Sequence, residues 1–222
     1  MKHILTDIMG TVVHSDFLNT MRTYIEANGH AFTRAAHDEG IALLQRIQNE
    51  QRLGNFEDTV NLVVRKVYDQ RAMNPEFMEL LGMITNAGYE SGALQAPFFD
   101  DVAPALQQWK ANGKGIYVFS NGSETEQRNM FRASDAGDLS AYVDRYFSPT
   151  VIGNKKEPGS YARIGDALRQ DPSTILFLSD DEKELAAADQ AGMDVILIVR
   201  PGNKPITTSA YVKRNSFEDI GI

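Results

Sequence analysis

Cysteine is missing from this 222-residue chain, which excludes disulfides, thiolate metal sites and a cysteine nucleophile. Histidine is scarce, with four residues, and His3, His30 and His37 show no metal-ligand spacing. No run approaches the roughly 20 apolar residues of a membrane span. The opening Met1-Lys2-His3-Ile4-Leu5-Thr6-Asp7 is too poor in apolar residues to read as a signal peptide. Positive charge is the minority sign: 22 Lys and Arg stand against 30 Asp and Glu, a net charge of −8. That balance argues against nonspecific binding to nucleic acid or to an anionic membrane. Internal repeats and low-complexity segments are also absent. The expectation is a cytoplasmic protein, monomer or homodimer, whose partner is a small molecule. The remaining composition, 42% hydrophobic and 23% charged, suits one large domain or a core with a smaller insert.

Three short apolar segments closed by polar groups read as buried parallel strands: Ile4 to Asp7, Ile116 to Ser120 and Thr174 to Asp180. A fourth, Val195 to Val199, follows an Ala-rich stretch and the turn at Gly192. Helical patterns lie between them at Val102 to Ala111, Glu124 to Arg132 and Tyr161 to Leu168. Alternation of this kind predicts right-handed crossovers and an α/β, doubly wound, Rossmann-like parallel sheet. The interval 15–94 breaks the rhythm with helical periodicity. Phe17, Met21, Tyr24 and Ile25 fit one face, and Phe56, Val60, Val63, Val64 and Val67 another. Asn55 with Asp58, and Asn74 before Pro75, mark helix starts, and Gly29, Gly54 and Gly88 are expected at helix ends. The predicted division is a core of residues 1–14 and 95–222 with an inserted helical cap, 15–94. The polar tail after Asn203 is expected to cover the sheet edge.

Within the first strand, Ile-Leu-Thr-Asp-Ile-Met-Gly-Thr (4–11) ends an apolar run in Asp7 and turns at once into a loop. Ligands of open α/β sheets bind at the carboxyl ends of the strands. A carboxylate there is either a nucleophile toward phosphorus or a ligand for a hard cation. The pattern resembles the opening motif of the haloacid dehalogenase superfamily, which implies that Asp7 attacks a phosphoryl group and forms an aspartyl-phosphate. Ser120, Asn121 and Gly122 close the second strand at a helix N-terminus, a place suited to phosphate oxygens. Lys155 supplies a compact positive charge for phosphate and for Asp7. Asp180 and Asp181, with Glu184 a turn further on, offer hard oxygen ligands for Mg²⁺. Each residue alone reads as a cap or a solvated side chain; the order of acid, serine, lysine and acid pair carries the inference.

A narrower resemblance covers nearly the whole chain. Phe119-Ser-Asn-Gly-Ser-Glu-Thr-Glu-Gln-Arg-Asn-Met-Phe131, Gly153-Asn-Lys-Lys-Glu-Pro-Gly-Ser-Tyr161, Ile175-Leu-Phe-Leu-Ser-Asp180 and Arg200-Pro-Gly-Asn203 are similar to motifs of the enolase-phosphatases, or acireductone synthases. That family enolises a methylthio diketo phosphate in methionine salvage and then removes the phosphate, using Mg²⁺. The resemblance implies a phosphorylated metabolite as substrate, Asp7 and Lys155 as catalytic residues, and Asp7, Asp180 and the backbone oxygen of Met9 as metal ligands. Here Met9 replaces the family's usual acid, Asn121 a common serine, and Val12-Val13-His14-Ser15 the Thr-Pro-rich stretch. A thioether cannot donate a proton, so the side chain expected to protonate the leaving oxygen is lost. His14 is open to reading as a substitute acid or as a hinge. Gln127 and Arg128 are placed to reach substrate, with a solvated face the alternative for Arg128, while Phe98, Phe99 and Trp109 read as core. Competing functions are a phosphonatase-like hydrolase and a silent relative that binds a phosphorylated ligand.

Overall fold

The computed structural model describes residues 2–35, 37–72, 74–205 and 209–221. The chain divides into two compact units, residues 1–17 with 96–222, and residues 18–95.

The first unit is built on six parallel strands. In chain order β1 is His3–Thr6, β2 Gly115–Phe119, β3 Arg145–Phe147, β4 Ile175–Ser179, β5 Asp194–Ile198 and β6 Lys213–Arg214, and their order across the sheet is β3-β2-β1-β4-β5-β6. β1 lies in the middle, with Thr6 opposite Val118 on one side and Leu178 on the other. It is almost entirely buried, as befits a strand with neighbours at both edges and cover on both faces. Leu5, Phe119, Phe147, Tyr161, Phe177 and Leu197 belong to one continuous apolar core. The four strands expected from apolar runs are present to within a residue or two. β3 and β6 were not expected: three and two residues are too short for any period to register. The tail thus joins the sheet as an edge strand where it was expected only to cover it.

The second unit is helical. It holds most of α1 (Phe17–Ala35), then α2 (Asp38–Gln51), α3 (Phe56–Val64) and α4 (Pro75–Glu90). The Asn55 side chain accepts from the Asp58 N–H at 2.8 Å, and that of Asn74 from Glu76 at 2.8 Å, with Pro75 at the first helical position. α3 runs on into a π-helical turn, Arg65–Asp69, which keeps Val67 in the buried stripe with Val60, Val63 and Val64. One glycine lies elsewhere than expected. Gly29 is in the middle of α1, where its smallness serves close packing on Val60. Gly88 lies in the last turn of α4, where a Cβ would also come within 2.8 Å of Tyr24 and of Leu94. Among the described residues no helix is long and apolar enough to cross a membrane.

The remaining helices are α5 (Val102–Ala111), α6 (Glu124–Arg132), α7 (Pro149–Ile152), α8 (Pro158–Leu168) and α9 (Glu182–Gln190), all in the first unit.

Gly29 provides a test of the helical unit. Alanine is the better helix former by about 1 kcal/mol, yet a Cβ at 29 would lie 2.6 Å from Val60 Cγ1. Gly29→Ala should lower the thermal unfolding temperature, and in a Val60→Ala background it should cost much less. Additive losses in the double variant would show that Val60 is not what excludes the methyl group.

Candidate active site

β2, β1 and β4 are neighbours, so the residues that follow them, Ser120, Asp7 and Asp180, emerge at one edge of the sheet. Asp7 still belongs to the ladder through its N–H, which donates to the Leu178 carbonyl at 2.9 Å. The chain then coils tightly. The Ile8 carbonyl accepts from Thr11, Val12 and Val13, and Gly10 N–H donates back to Val13. Gly10 has φ +77°, and a Cβ there would collide with the Asp180 carboxylate, so glycine is required on two counts. Met9 is half-buried beside this turn.

Lys155 is the centre of the cluster. It is 3% exposed, and its Nζ lies 2.5 Å from Asp7 Oδ1 and 2.8 Å from Glu184 Oε2. Its own carbonyl accepts from the Tyr161 hydroxyl at 2.8 Å, and the Phe119 ring centroid is 5.7 Å from Nζ. Burial alone would lower the lysine pKa, but Asp7 and Glu184 more than reverse that, and the ammonium is held charged. Burial also raises the phenol of Tyr161, keeping it a donor. Glu184 takes a second bond from Ser179 Oγ at 3.0 Å. Even so, burial, together with the negative charges of Asp7 and Asp181, outweighs Lys155 and pushes its carboxyl pKa up.

Asp180 is raised too, first by burial and then by the negative charges of Asp7 and Glu184. Asp180 Oδ2 and the Gly10 carbonyl both accept from Asn203 Nδ2, at 3.1 and 2.8 Å. Asn203 Oδ1 is enclosed and without a protein partner. Three buried or half-buried carboxylates therefore face one ammonium, a balance that favours a further cation. Among the described residues no three His, Cys, Asp or Glu side chains converge as a metal cage. Two carboxylates, Asp7 and Asp180, completed by a backbone oxygen and water, match the way Mg²⁺ is held. Glu184, a possible ligand in the sequence, is occupied by Lys155 and Ser179. Asp181 caps α9 through the Lys183 N–H and pairs with Lys156 at 3.3 Å.

Ser120, Asn121 and Gly122 form the turn between β2 and α6, half-buried at Ser120 and open at Asn121. Ser123 caps α6 through the Glu126 N–H. Gln127 does not reach outward: buried, its amide nitrogen lies 3.2 Å from the Ser120 carbonyl and 2.8 Å from those of Gly122 and Phe147. It ties the turn to the end of β3, a role that a residue pattern alone does not separate from substrate contact. Arg128 is exposed and stacks over the Tyr146 ring. The His14 ring is stacked on Phe99, centroids 3.9 Å apart, and Phe98, Phe99 and Trp109 are buried.

The sequence model of haloacid dehalogenase-like hydrolases matches residues 1–192. The chain belongs to this family. Haloacid dehalogenase-like hydrolases are enzymes, and several relatives of this one share a more specific name. "Enolase-phosphatase E1" of Persephonella marina is 35% identical over 99% of this chain and 98% of its own length. The protein of that name from Schizosaccharomyces japonicus is 35% identical over 98% and 96%. The UTR4 protein of Saccharomyces cerevisiae has a crystal structure that superposes with a TM-score of 0.80 at 28% identity, covering 98% of this chain and 99% of that one. CbbY from Rhodobacter sphaeroides, in complex with phosphate, shares the fold at a TM-score of 0.64 and 18% identity, covering 100% and 96%.

In this hydrolase the buried ammonium supplies a direct test. Replacing one partner of a buried ion pair typically costs about 3–5 kcal/mol, because an unpaired charge is left behind. Lys155→Met should lose stability of that order in urea unfolding, and a double Lys155→Met, Glu184→Gln variant should recover part of it. Wild-type stability in Lys155→Met would mean that the lysine does not hold Asp7 and Glu184 in solution.

Proposed function

We propose that the protein is a Mg²⁺-dependent phosphatase that hydrolyses a small phosphorylated metabolite through an aspartyl-phosphate on Asp7, with an enolisable phosphate of the enolase-phosphatase type as substrate. The observation that carries this reading is the buried Lys155, which grips one oxygen of Asp7, Oδ1, at 2.5 Å and leaves Oδ2 for attack. The names of the relatives support the same chemistry.

Asp7 and Asp180, with the Met9 carbonyl, would hold the cation. Bound there, Mg²⁺ supplies charge neutralisation between an anionic nucleophile and an anionic phosphate. The rest falls to the chain. Lys155 orients Asp7 through Oδ1, and with the Ser120 hydroxyl and the N–H groups of Asn121 and Gly122 it binds the phosphate oxygens. Asp7 Oδ2 bonds to phosphorus as the bond to the leaving oxygen breaks, and that oxygen takes up a proton from water. Water then attacks the phosphorus of the aspartyl-phosphate, releasing inorganic phosphate and restoring the carboxylate.

The leaving oxygen is where Met9 matters. Nothing in a thioether donates a proton, and general acid catalysis typically contributes about 10²–10⁴-fold. An enolate leaves with little help, whereas an alkoxide needs the proton. The rate should therefore fall steeply as leaving-group pKa rises, and Met9→Glu should flatten that dependence. A shallow dependence in the native enzyme that His14→Ala steepens would move the acid role to His14.

Asp7→Asn should abolish turnover while leaving thermal stability and far-ultraviolet circular dichroism close to native, and EDTA should stop the native enzyme reversibly. A panel of phosphorylated metabolites assayed with Mg²⁺ tests the substrate class. Phosphate release by Asp7→Asn, or turnover in EDTA, would overturn the mechanism. Mg²⁺ binding with no turnover on any phosphate ester would favour a binding protein.

A further inference from the structure

We propose that Asn203 is a positioning residue for the cation site, one that fixes Asp180 against the loop carrying Asp7; the proposal rests on the Mg²⁺ reading above. One amide nitrogen bridges the two. Asn203 Nδ2 donates to the Gly10 carbonyl at 2.8 Å and to Asp180 Oδ2 at 3.1 Å. Both partners are acceptors, so the network itself assigns nitrogen to that side of the amide: turned over, the oxygen would face two oxygens. The contact is close-packed as well as hydrogen-bonded. At Gly10, with φ +77°, a Cβ would touch the Asp180 carboxylate and come within 3.0 Å of Asn203 Nδ2. Holding Asp180 by Oδ2 leaves Oδ1 as the oxygen free for a cation.

Asn203 can do this because its own backbone is anchored. It ends a turn in which its N–H donates to the Arg200 carbonyl at 3.2 Å and Gly202 takes φ +86°. Arg200, 6% exposed, donates from Nε to the Thr11 carbonyl at 3.0 Å. One of its terminal nitrogens lies 2.9 Å from both oxygens of Asp101 and 3.0 Å from the Asn215 carbonyl. The guanidinium stacks 4.4 and 4.9 Å from the centroids of Phe99 and Phe217. The carbonyls of Gly10 and Thr11, consecutive in the loop, are thus held by Asn203 and Arg200 from one short turn. Arg200 is the fixed end and Asn203 the part that meets a carboxylate.

Groups that orient a metal ligand typically contribute 10- to 100-fold to metal affinity. The test is Mn²⁺, a hard cation of similar ligand preference, titrated into the intact protein without substrate and followed by the electron paramagnetic resonance of free Mn²⁺. Asn203→Ala should weaken binding at least tenfold. Asn203→Ser, which keeps a single donor, should fall between it and the native protein and serves as the measured variant if the alanine protein does not fold. A native protein that binds Mn²⁺ while both variants match it within twofold would overturn the positioning role alone. A native protein that fails to bind Mn²⁺ would overturn the cation reading and this inference with it. Thermal unfolding in EDTA separates the roles: a purely structural Asn203 would lower the unfolding temperature and leave Mn²⁺ affinity unchanged.

Discussion

The site is organised by one desolvated ammonium held between two carboxylates. Lys155 comes from the loop before α8, Asp7 from the end of β1 and Glu184 from α9, so one charge joins three distant stretches of chain. A buried lysine is costly unless every proton is used. Here two go to carboxylates and the nitrogen lies over the Phe119 ring, while Tyr161 holds the main chain. Phe119 and Tyr161 meet edge to face, with centroids 5.6 Å apart, and both belong to the apolar core. The packing of the core and the orientation of the Asp7 carboxylate are therefore one problem, solved by the same side chains.

Much of this arrangement was legible in the sequence, for a definite reason. A buried parallel strand is an unbroken apolar run, and the first polar group after it must lie at the sheet edge; that rule located Asp7, Ser120 and Asp180. Asn55 and Asn74 announced helices because a side-chain oxygen beside unpaired N–H groups has few other uses. Glycine misled, since the lack of a Cβ serves both a left-handed turn, as at Gly10, and close approach of helices, as at Gly29. Partner choice was also hidden. Glu184 lies one turn beyond an acid pair and reads as a ligand, yet its neighbour in space is Lys155. Gln127 and Asn203 each give an amide to a main-chain carbonyl remote in sequence, Phe147 and Gly10, and no local pattern records that. Arg200-Pro-Gly-Asn203 is a turn at the carboxyl end of β5, on the same sheet edge, where the strand-end rule also applies.

The loop after Asp7 explains why position 9 tolerates a methionine. Its shape is made by main-chain bonds from Thr11, Val12 and Val13 to Ile8, by Gly10 to Val13, and by Phe99 N–H to the Val12 carbonyl. None of these uses the side chain of residue 9. An acid there is thus dispensable for the frame of the loop, which a methionine at position 9 leaves intact.

The placement of β1 has a consequence for how the chain is made. His3 at its start has Gly115 and Ile175 as register partners, so β1 waits for β2 and then for β4, both of which follow the whole helical unit in the chain. Such pairings carry a large loop-closure entropy and form late. The helical unit, by contrast, is continuous from Leu18 to Gln95 and has an apolar cluster of its own. During synthesis it can fold while β1 is still unpaired. Because it lies in the chain between β1 and both of that strand's partners, a folded helical unit would shorten the effective loop that β1 must close.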